Sequence, residues 1–384
     1  MPAPPRVVFA LLGDPTGSSR ALRQLRALSA LGLDVRLLAV GPMRRPDVLR
    51  GVVDGAVAAP WPAGRGPAFF WRADRAVRRL AERTPAALYL ASDLYVLPAL
   101  AAAARRHGGR LVYDSRELYA ALDSSAGRPH VAAAWRAVEG RFIGRADAVL
   151  TVGDQIADRL AEAYRIARPT VLYNAPAPPS PSGEGGADHA RAGRTVLRAR
   201  LGLPDDGRVV VLYQGLLRAG RGLPALVEAA RRVDGVRLVV IGEGELWDDL
   251  ARLGAPLGDR FRLHPFVPPD ALAALTPGAD LGACLIEPLT ESLRLSLPNK
   301  LFEYLAAGVP VIASPLPEIR RVVERGVGVL ADPADPAAVA AALRLALDPD
   351  ARDAWAGRTT EALAPYAWDR GRSVFRDVVL GLLG

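Results

Sequence analysis

At 384 residues the chain is longer than one ordinary hydrophobic core supports, so two domains are expected. Half of its residues are hydrophobic and 23% are charged, which excludes a disordered chain. The net charge of +8 is carried almost wholly by arginines spread along the chain, with no basic tail, so nucleic acid is disfavoured and phosphorylated substrates or an anionic membrane surface remain.

The first apolar run, Val7–Leu12, is too short for a signal peptide and is broken by Asp14. Further β-rich runs at Val35–Val40, Val52–Val57, Ala87–Leu90, Leu111–Tyr113, Ala148–Val152 and Thr170–Leu172 alternate with helical patterns such as Ser19–Leu31, Tyr95–Arg106 and Val131–Ile143. Apolar strands alternating with helices predict a parallel sheet covered on both faces. Trp61, Phe69, Phe70 and Trp71 precede arginines at helical spacing between Arg72 and Arg79; this reads as a helix packed on the sheet, with a membrane or a bulky acceptor as the alternative contact. Residues 175–194, rich in Pro, Gly, Ser and Ala, read as a linker. The alternation then resumes, with strands at Val209–Tyr213, Arg237–Ile241, Phe261–His264, Leu281–Leu285, Val311–Ala313 and Val327–Leu330. Helices are expected near Leu223–Val233, Glu245–Leu253, Pro269–Leu275, Pro336–Leu347 and Arg352–Ala364. The domains are thus 1–174 and 195–367, with a helix over 368–384 expected to return to the first. Cys284, the only cysteine, lies in the apolar run LGACLI, which excludes internal disulfides and predicts a reducing compartment. No apolar run approaches the roughly 18 residues of a membrane span, so a cytoplasmic protein is expected.

One stretch, LSLPNKLFEYLAAGVPVIA from Leu295 to Ala313, organises the rest. Ser296 and Pro298 signal a helix start, and Gly308 with Pro310 the stop, giving a helix of about ten residues and a strand after it. Lys300 is the single lysine of the chain, and Asn299 one of only two asparagines. In a chain that writes its other cations as arginine, a compact ammonium at a helix N-terminus points to a phosphate ligand. Glu303 lies one turn later on the same side, about 5 Å deeper, where a carboxylate would hold ribose hydroxyls. The alternative is an exposed Lys300–Glu303 surface pair.

Other strand ends carry weaker signals. Gly215, Arg218, Gly220, Arg221 and Gly222 follow Val209–Tyr213 as a glycine–arginine loop suited to a diphosphate. Gly242 and Glu243 open a Gly-x-Gly turn, but not the spacing of a dinucleotide fingerprint. In the first half, Asp14, Gly17 and Ser18 join the first strand to a helix, with Ser18 or Ser19 a candidate cap. Asp114, Ser115, Arg116 and Glu117 follow another strand, where turn formation explains the first two equally well. The four histidines show no metal spacing, and Asp348-Pro349-Asp350 reads as a helix cap.

With these motifs in hand, the chain resembles glycosyltransferase family 4, the retaining sugar-nucleotide enzymes of the GT-B fold. The resemblance rests on PNKLFEYLAAGVPVIAS, on the Gly215–Gly222 loop, and on VVIGEGE, LHPFVP, YDSRELY and the exit Tyr173-Asn174-Ala175. It implies an α/β architecture of two Rossmann-like domains facing each other across a cleft, closing around the 175–194 hinge. It also implies transfer of a sugar from a nucleoside diphosphate donor, UDP-linked, to an acceptor hydroxyl, without metal or other cofactor. The family pattern gives Lys300, Arg221 and Glu303 the catalytic positions. It puts Gly215, Arg218, Gly242, Glu243, Phe266, Val267, Ser296, Leu297 and Asn299 around the donor, and Asp14, Gly17, Ser18, Asp93, Arg116 and Glu117 on the acceptor side. The acceptor stays open between a glycan, a lipid carrier met at the membrane periphery, and a small natural product. Three positions depart from the pattern: Leu295 stands at the first acid of the E-x7-E motif, Leu216 near the first basic position, and Arg116 where YDSHE has histidine. The alternatives are an epimerase or phosphorylase on the same fold, or a degenerate partner subunit.

Overall fold

The computed structural model describes residues 3–64, 66–122, 127–176 and 186–384. It divides into two compact units, Met1–Asn174 with Asp369–Gly384, and Ala175–Trp368. Each is an α/β layer structure whose central strands are buried on both faces, which is why they read as near-continuous apolar runs.

In the first unit the strands are β1 (Arg6–Leu12), β2 (Asp34–Val40), β3 (Gly55–Ala59), β4 (Leu88–Ala91), β5 (Arg110–Ser115), β6 (Ala148–Thr151) and β7 (Thr170–Val171). They pair in parallel in the order β3-β2-β1-β4-β5-β6-β7. The second unit has β8 (Val209–Gln214), β9 (Val236–Ile241), β10 (Phe261–His264), β11 (Leu281–Cys284), β12 (Val311–Ala313) and β13 (Gly328–Leu330), in the order β10-β9-β8-β11-β12-β13. These are doubly wound sheets, and the strand order reverses beside β1 and β4 in one and beside β8 and β11 in the other. Ligands of such sheets sit outside the carboxyl ends of the strands at that reversal.

Three expectations change. The strand foreseen at Val52–Val57 begins only at Gly55, because the Val52 and Val53 amides turn back to the Leu49 carbonyl at 3.0 and 3.2 Å. Residues 177–185 of the foreseen linker lie outside the described residues, but 186–194 open a helix, Gly186–Leu201, in which alanine and arginine outweigh the two glycines. The helix foreseen over Arg352–Ala364 is two, Pro349–Ala356 and Thr359–Leu363, divided at Gly357. Asp348 caps the first of these by accepting from the Asp350 amide at 3.0 Å.

Asp114, at the end of β5, belongs to the frame. Its carboxylate is wholly buried and takes Arg20 Nε at 2.7 Å, Arg20 Nη2 at 2.6 Å and Gln24 Nε2 at 2.9 Å. Arg20 also donates to the Leu172 carbonyl at 2.5 Å, so the first helix, Ser19–Ala30, is tied to β5 and to the end of β7. Removing one partner strands a buried charge. Arg20→Ala is expected to lower stability by about 3–5 kcal/mol, read as a shifted urea-unfolding midpoint.

Candidate functional site

The helix Asn299–Ala306 is eight residues long, with Pro298 at its cap and Gly308 in the left-handed region at φ 73° just beyond it. Its inward face carries Leu301, Phe302, Tyr304 and Leu305, all buried. Tyr304 fixes the helix on the sheet: its hydroxyl donates to the Leu212 carbonyl and accepts from the Gln214 amide, both at 3.0 Å. The ring passes over Gly282 of β11, where an added methyl would come within 2.3 Å of it. The helix therefore lies across the strand reversal between β8 and β11.

There Lys300 meets an unusual environment. Its Nζ is buried and has no hydrogen-bond partner. It sits 3.7 Å above the Tyr213 ring, a cation–π contact, and a methyl on Gly215 would lie 3.3 Å from it. Burial pulls its pKa down to about 7; Cys284 and Glu303 pull the other way, while Arg221 and Arg218 reinforce the fall. The Cys284 thiol is pushed up to about 12 by burial, against the pull of Lys300 and Arg221. Lys300, Arg218 and Arg221 thus form one positive centre beside the helix N-terminus. A buried ammonium without an acceptor is an expensive arrangement that an incoming anion would relieve.

Glu303 is held rather than loose. Gln214 Nε2 donates to its Oε2 at 2.7 Å, and Gln214 Oε1 accepts from Thr276 Oγ1 at 3.0 Å. The surface-pair reading of Lys300 and Glu303 fails: Nζ is buried and no ion pair joins the two. Gln214 and Thr276 are positioning residues that sequence reasoning passed over, although Gln214 directly ends an apolar strand. Another is Glu287. It accepts from the Gly222 amide at 2.9 Å and donates its own amide to the Gly220 carbonyl at 3.2 Å, holding the loop that carries Arg221.

The remaining donor-side candidates surround this centre unevenly. Gly242 is obligatory, because a methyl there would stand 1.9 Å from the Gly215 carbonyl oxygen. The Glu243 carbonyl accepts from the Leu217 amide at 2.9 Å, closing the Gly-x-Gly turn on the Gly215 loop. Phe266 is exposed and Val267 buried beyond β10. Ser296 spends its hydroxyl on the Leu293 carbonyl at 2.8 Å, Leu297 is partly buried, and Asn299 is exposed at the helix tip. Leu295 is buried at the end of the short helix Glu291–Arg294, an apolar environment in which a carboxylate would be costly.

In the first unit the candidates separate into two kinds. Asp14 is consumed locally: Oδ1 takes the Thr16 amide and hydroxyl at 2.9 and 2.6 Å, and Oδ2 the Arg44 amide at 3.1 Å. Ser18 caps the first helix through the Ala21 amide at 3.3 Å, and Gly17 is exposed between them. Asp93 and Arg116, by contrast, are brought together at 3.6 Å, with Glu117 exposed next to them. Asp93 lies at the β1–β4 reversal, accepting from the Leu12 and Val96 amides at 2.7 and 3.1 Å. Burial raises its pKa against the pull of Arg116. Among the described residues no three His, Cys, Asp or Glu side chains gather as a metal site, and no helix is long and apolar enough to cross a membrane.

The sequence matches the family described as Glycosyltransferase Family 4 over residues 17–175 and Glycosyl transferases group 1 over residues 208–348. The chain belongs to the family 4 glycosyltransferases. It is 29% identical over 265 residues to a D-inositol 3-phosphate glycosyltransferase of Acidothermus cellulolyticus, a match spanning 64% of this chain and 55% of that relative. The fold is that of GT-B enzymes. Sucrose-phosphate synthase from Thermosynechococcus elongatus superposes with a TM-score of 0.77 at 18% identity, covering 98% of this chain and 99% of that one. Anabaena HepE in complex with UDP-glucose gives 0.76 at 17% identity, covering 98% and 100%. The lipopolysaccharide glycosyltransferase WaaG gives 0.72 at 18%, again covering 98% and 100%.

Lys300 sets a pH signature for the family member without ligand. With a folded-state pKa near 7 and an ordinary value of 10.5 when unfolded, the unfolded chain binds more protons between those limits. Wild-type stability therefore gains from this group as pH rises from 7 to 10.5. Lys300→Met should melt at a higher temperature than wild type below pH 7, with the gap closing toward pH 10.5; melting curves across that range check it.

Proposed function

We propose that the enzyme transfers a sugar from a nucleoside diphosphate sugar, UDP-linked, to an acceptor hydroxyl with retention at the anomeric carbon. The observation that carries the donor side is the buried, unpartnered Lys300 Nζ flanked by Arg218 and Arg221 at the β8–β11 reversal. That arrangement suits the two charges of a diphosphate. Glu303, oriented by Gln214, stands one helical turn deeper, at the distance of a ribose diol from the phosphate. Anabaena HepE, which shares the fold, has been solved with UDP-glucose bound, and this supports the choice of nucleotide.

Chemically, the diphosphate gains charge as the glycosidic bond breaks. Lys300, Arg218, Arg221 and the helix N-terminus stabilise that charge, so the reading calls for no metal ion. A front-face course, in which the leaving phosphate receives the acceptor proton, fits a site where the side chains around the diphosphate are cations. Glu303 is assigned to the ribose and not to the sugar. The lone buried thiol Cys284 accords with a cytoplasmic enzyme.

The donor test is a thermal-shift and calorimetric screen of nucleoside diphosphates and their sugars. UDP-sugars should raise the melting temperature, and Lys300→Ala and Glu303→Ala should each weaken donor binding by about tenfold or more. If both variants bind every nucleotide sugar as wild type does, the site assignment is wrong. Proton uptake offers a second reading of the same event. An anion that restores the charge of Lys300 draws a proton from solution near pH 8, so the calorimetric heat of UDP binding should vary with the ionisation enthalpy of the buffer, and that dependence should vanish in Lys300→Met.

A further inference from the structure

Six aromatic rings of the first unit are in continuous contact. Trp61 lies 5.0 Å from Phe69, and Phe69 lies 5.2 Å from Phe70. Phe70 stacks on Tyr95 at 4.8 Å and meets Trp135 edge-on at the same distance. Tyr95 in turn meets Trp135 at 5.2 Å and Tyr119 at 5.4 Å. The rings come from separate segments, yet three of them follow strand ends: Trp61 stands just beyond β3, Tyr95 beyond β4 and Tyr119 beyond β5. The cluster therefore gathers at the carboxyl end of the sheet, the ligand-binding end of a doubly wound fold.

A core cluster would be closed on all sides, and this one is open. Trp61 is 55% exposed, and Phe70, Tyr95 and Trp135 are partly exposed. Trp61 is nonetheless held: a methyl on Gly41, at the end of β2, would meet its ring at 2.8 Å, so the indole lies against bare backbone. An exposed ring fixed in this way is a preformed surface for a flat apolar partner.

Asp93 accepts from the Leu12 and Val96 amides and faces Arg116, whose Nε is buried without a hydrogen-bond partner. Tyr119 lies next to Arg116. A polyol would need a partner for each hydroxyl it buries, whereas an aromatic body needs ring faces and edges plus one donor for its oxygen.

We propose that this cluster is the acceptor site and that the acceptor is an aromatic compound bearing the hydroxyl to be glycosylated, with Arg116 directed at that oxygen. The proposal rests on the glycosyl-transfer reading above. The acceptor oxygen forms the new bond to the anomeric carbon, the bond from that carbon to the diphosphate breaks, and the hydroxyl proton leaves on the diphosphate.

The test is calorimetry on the full chain without donor, using 4-methylumbelliferone and 2-naphthol, with methyl glucopyranoside and inositol 1-phosphate as competitors for the assignment and UDP titrated separately. The aryl alcohols should bind. Trp61→Ala should weaken them by about tenfold, while Trp71→Ala, an exposed indole paired with Arg75 outside the cluster, should not. Both variants should keep wild-type melting curves and UDP affinity. Absence of aryl binding, indifference to Trp61→Ala, or tighter binding of the pyranoside or the inositol phosphate overturns the acceptor class. Failure of UDP alone overturns the donor reading, and the acceptor role with it, while leaving the ring site in place.

Discussion

The hydroxyl of Tyr304 sits at the junction of helix Asn299–Ala306 with the end of β8, filling the Leu212 carbonyl and the Gln214 amide at once. No side chain can stand at Gly282 without displacing its ring, so the sheet itself reserves the space. Since residues four apart share a helix face, pinning Tyr304 also turns Lys300 toward the sheet, over Tyr213 and beside the Gly215 loop. The side chain of the same Gln214 whose backbone amide Tyr304 binds then sets Glu303 through its own amide group. One phenol thus fixes the anion centre and, indirectly, the carboxylate.

Much of this could be read in advance. Strand positions followed from apolar runs because parallel strands buried on both faces leave no polar alternation to confuse them, and both sheets pair in parallel as those runs implied. Lys300 and Glu303 stood out through composition and helix spacing. What stayed hidden was the state of these groups: nothing in the sequence says that Nζ is buried above Tyr213, or that Gln214 and Thr276 form a buried relay to Glu303. Such facts depend on contacts between residues some sixty to ninety positions apart. The linker was misjudged for a local reason, since proline and glycine dominate 175–185 while the following alanines and arginines favour helix. The Val52–Val57 strand was misjudged because valine has the same strand propensity in a turn as in a sheet, and hydrogen bonds to Leu49 decided the matter.

Polar residues at strand ends prove to be of two sorts, and spacing does not distinguish them. Asp14, Ser18 and Asp114 spend their oxygens on amides, a helix cap and a buried arginine, so they build the first unit. Arg116 retains an unsatisfied Nε, and Lys300 an unsatisfied Nζ, in the two units respectively. A satisfied group is explained by the fold, whereas a buried unsatisfied one needs a further partner to account for its desolvation. Leu295, by contrast, is a packed core residue at the end of the short helix Glu291–Arg294.

Lys300 is the sole side-chain amine of the chain, and its amine has lost much of its basicity. Acylating or alkylating reagents selective for primary amines therefore have one internal target, and it is buried against the Tyr213 ring. Modification at that position in the folded protein would report exposure of Nζ, so the arginine-rich composition doubles as a built-in chemical reporter.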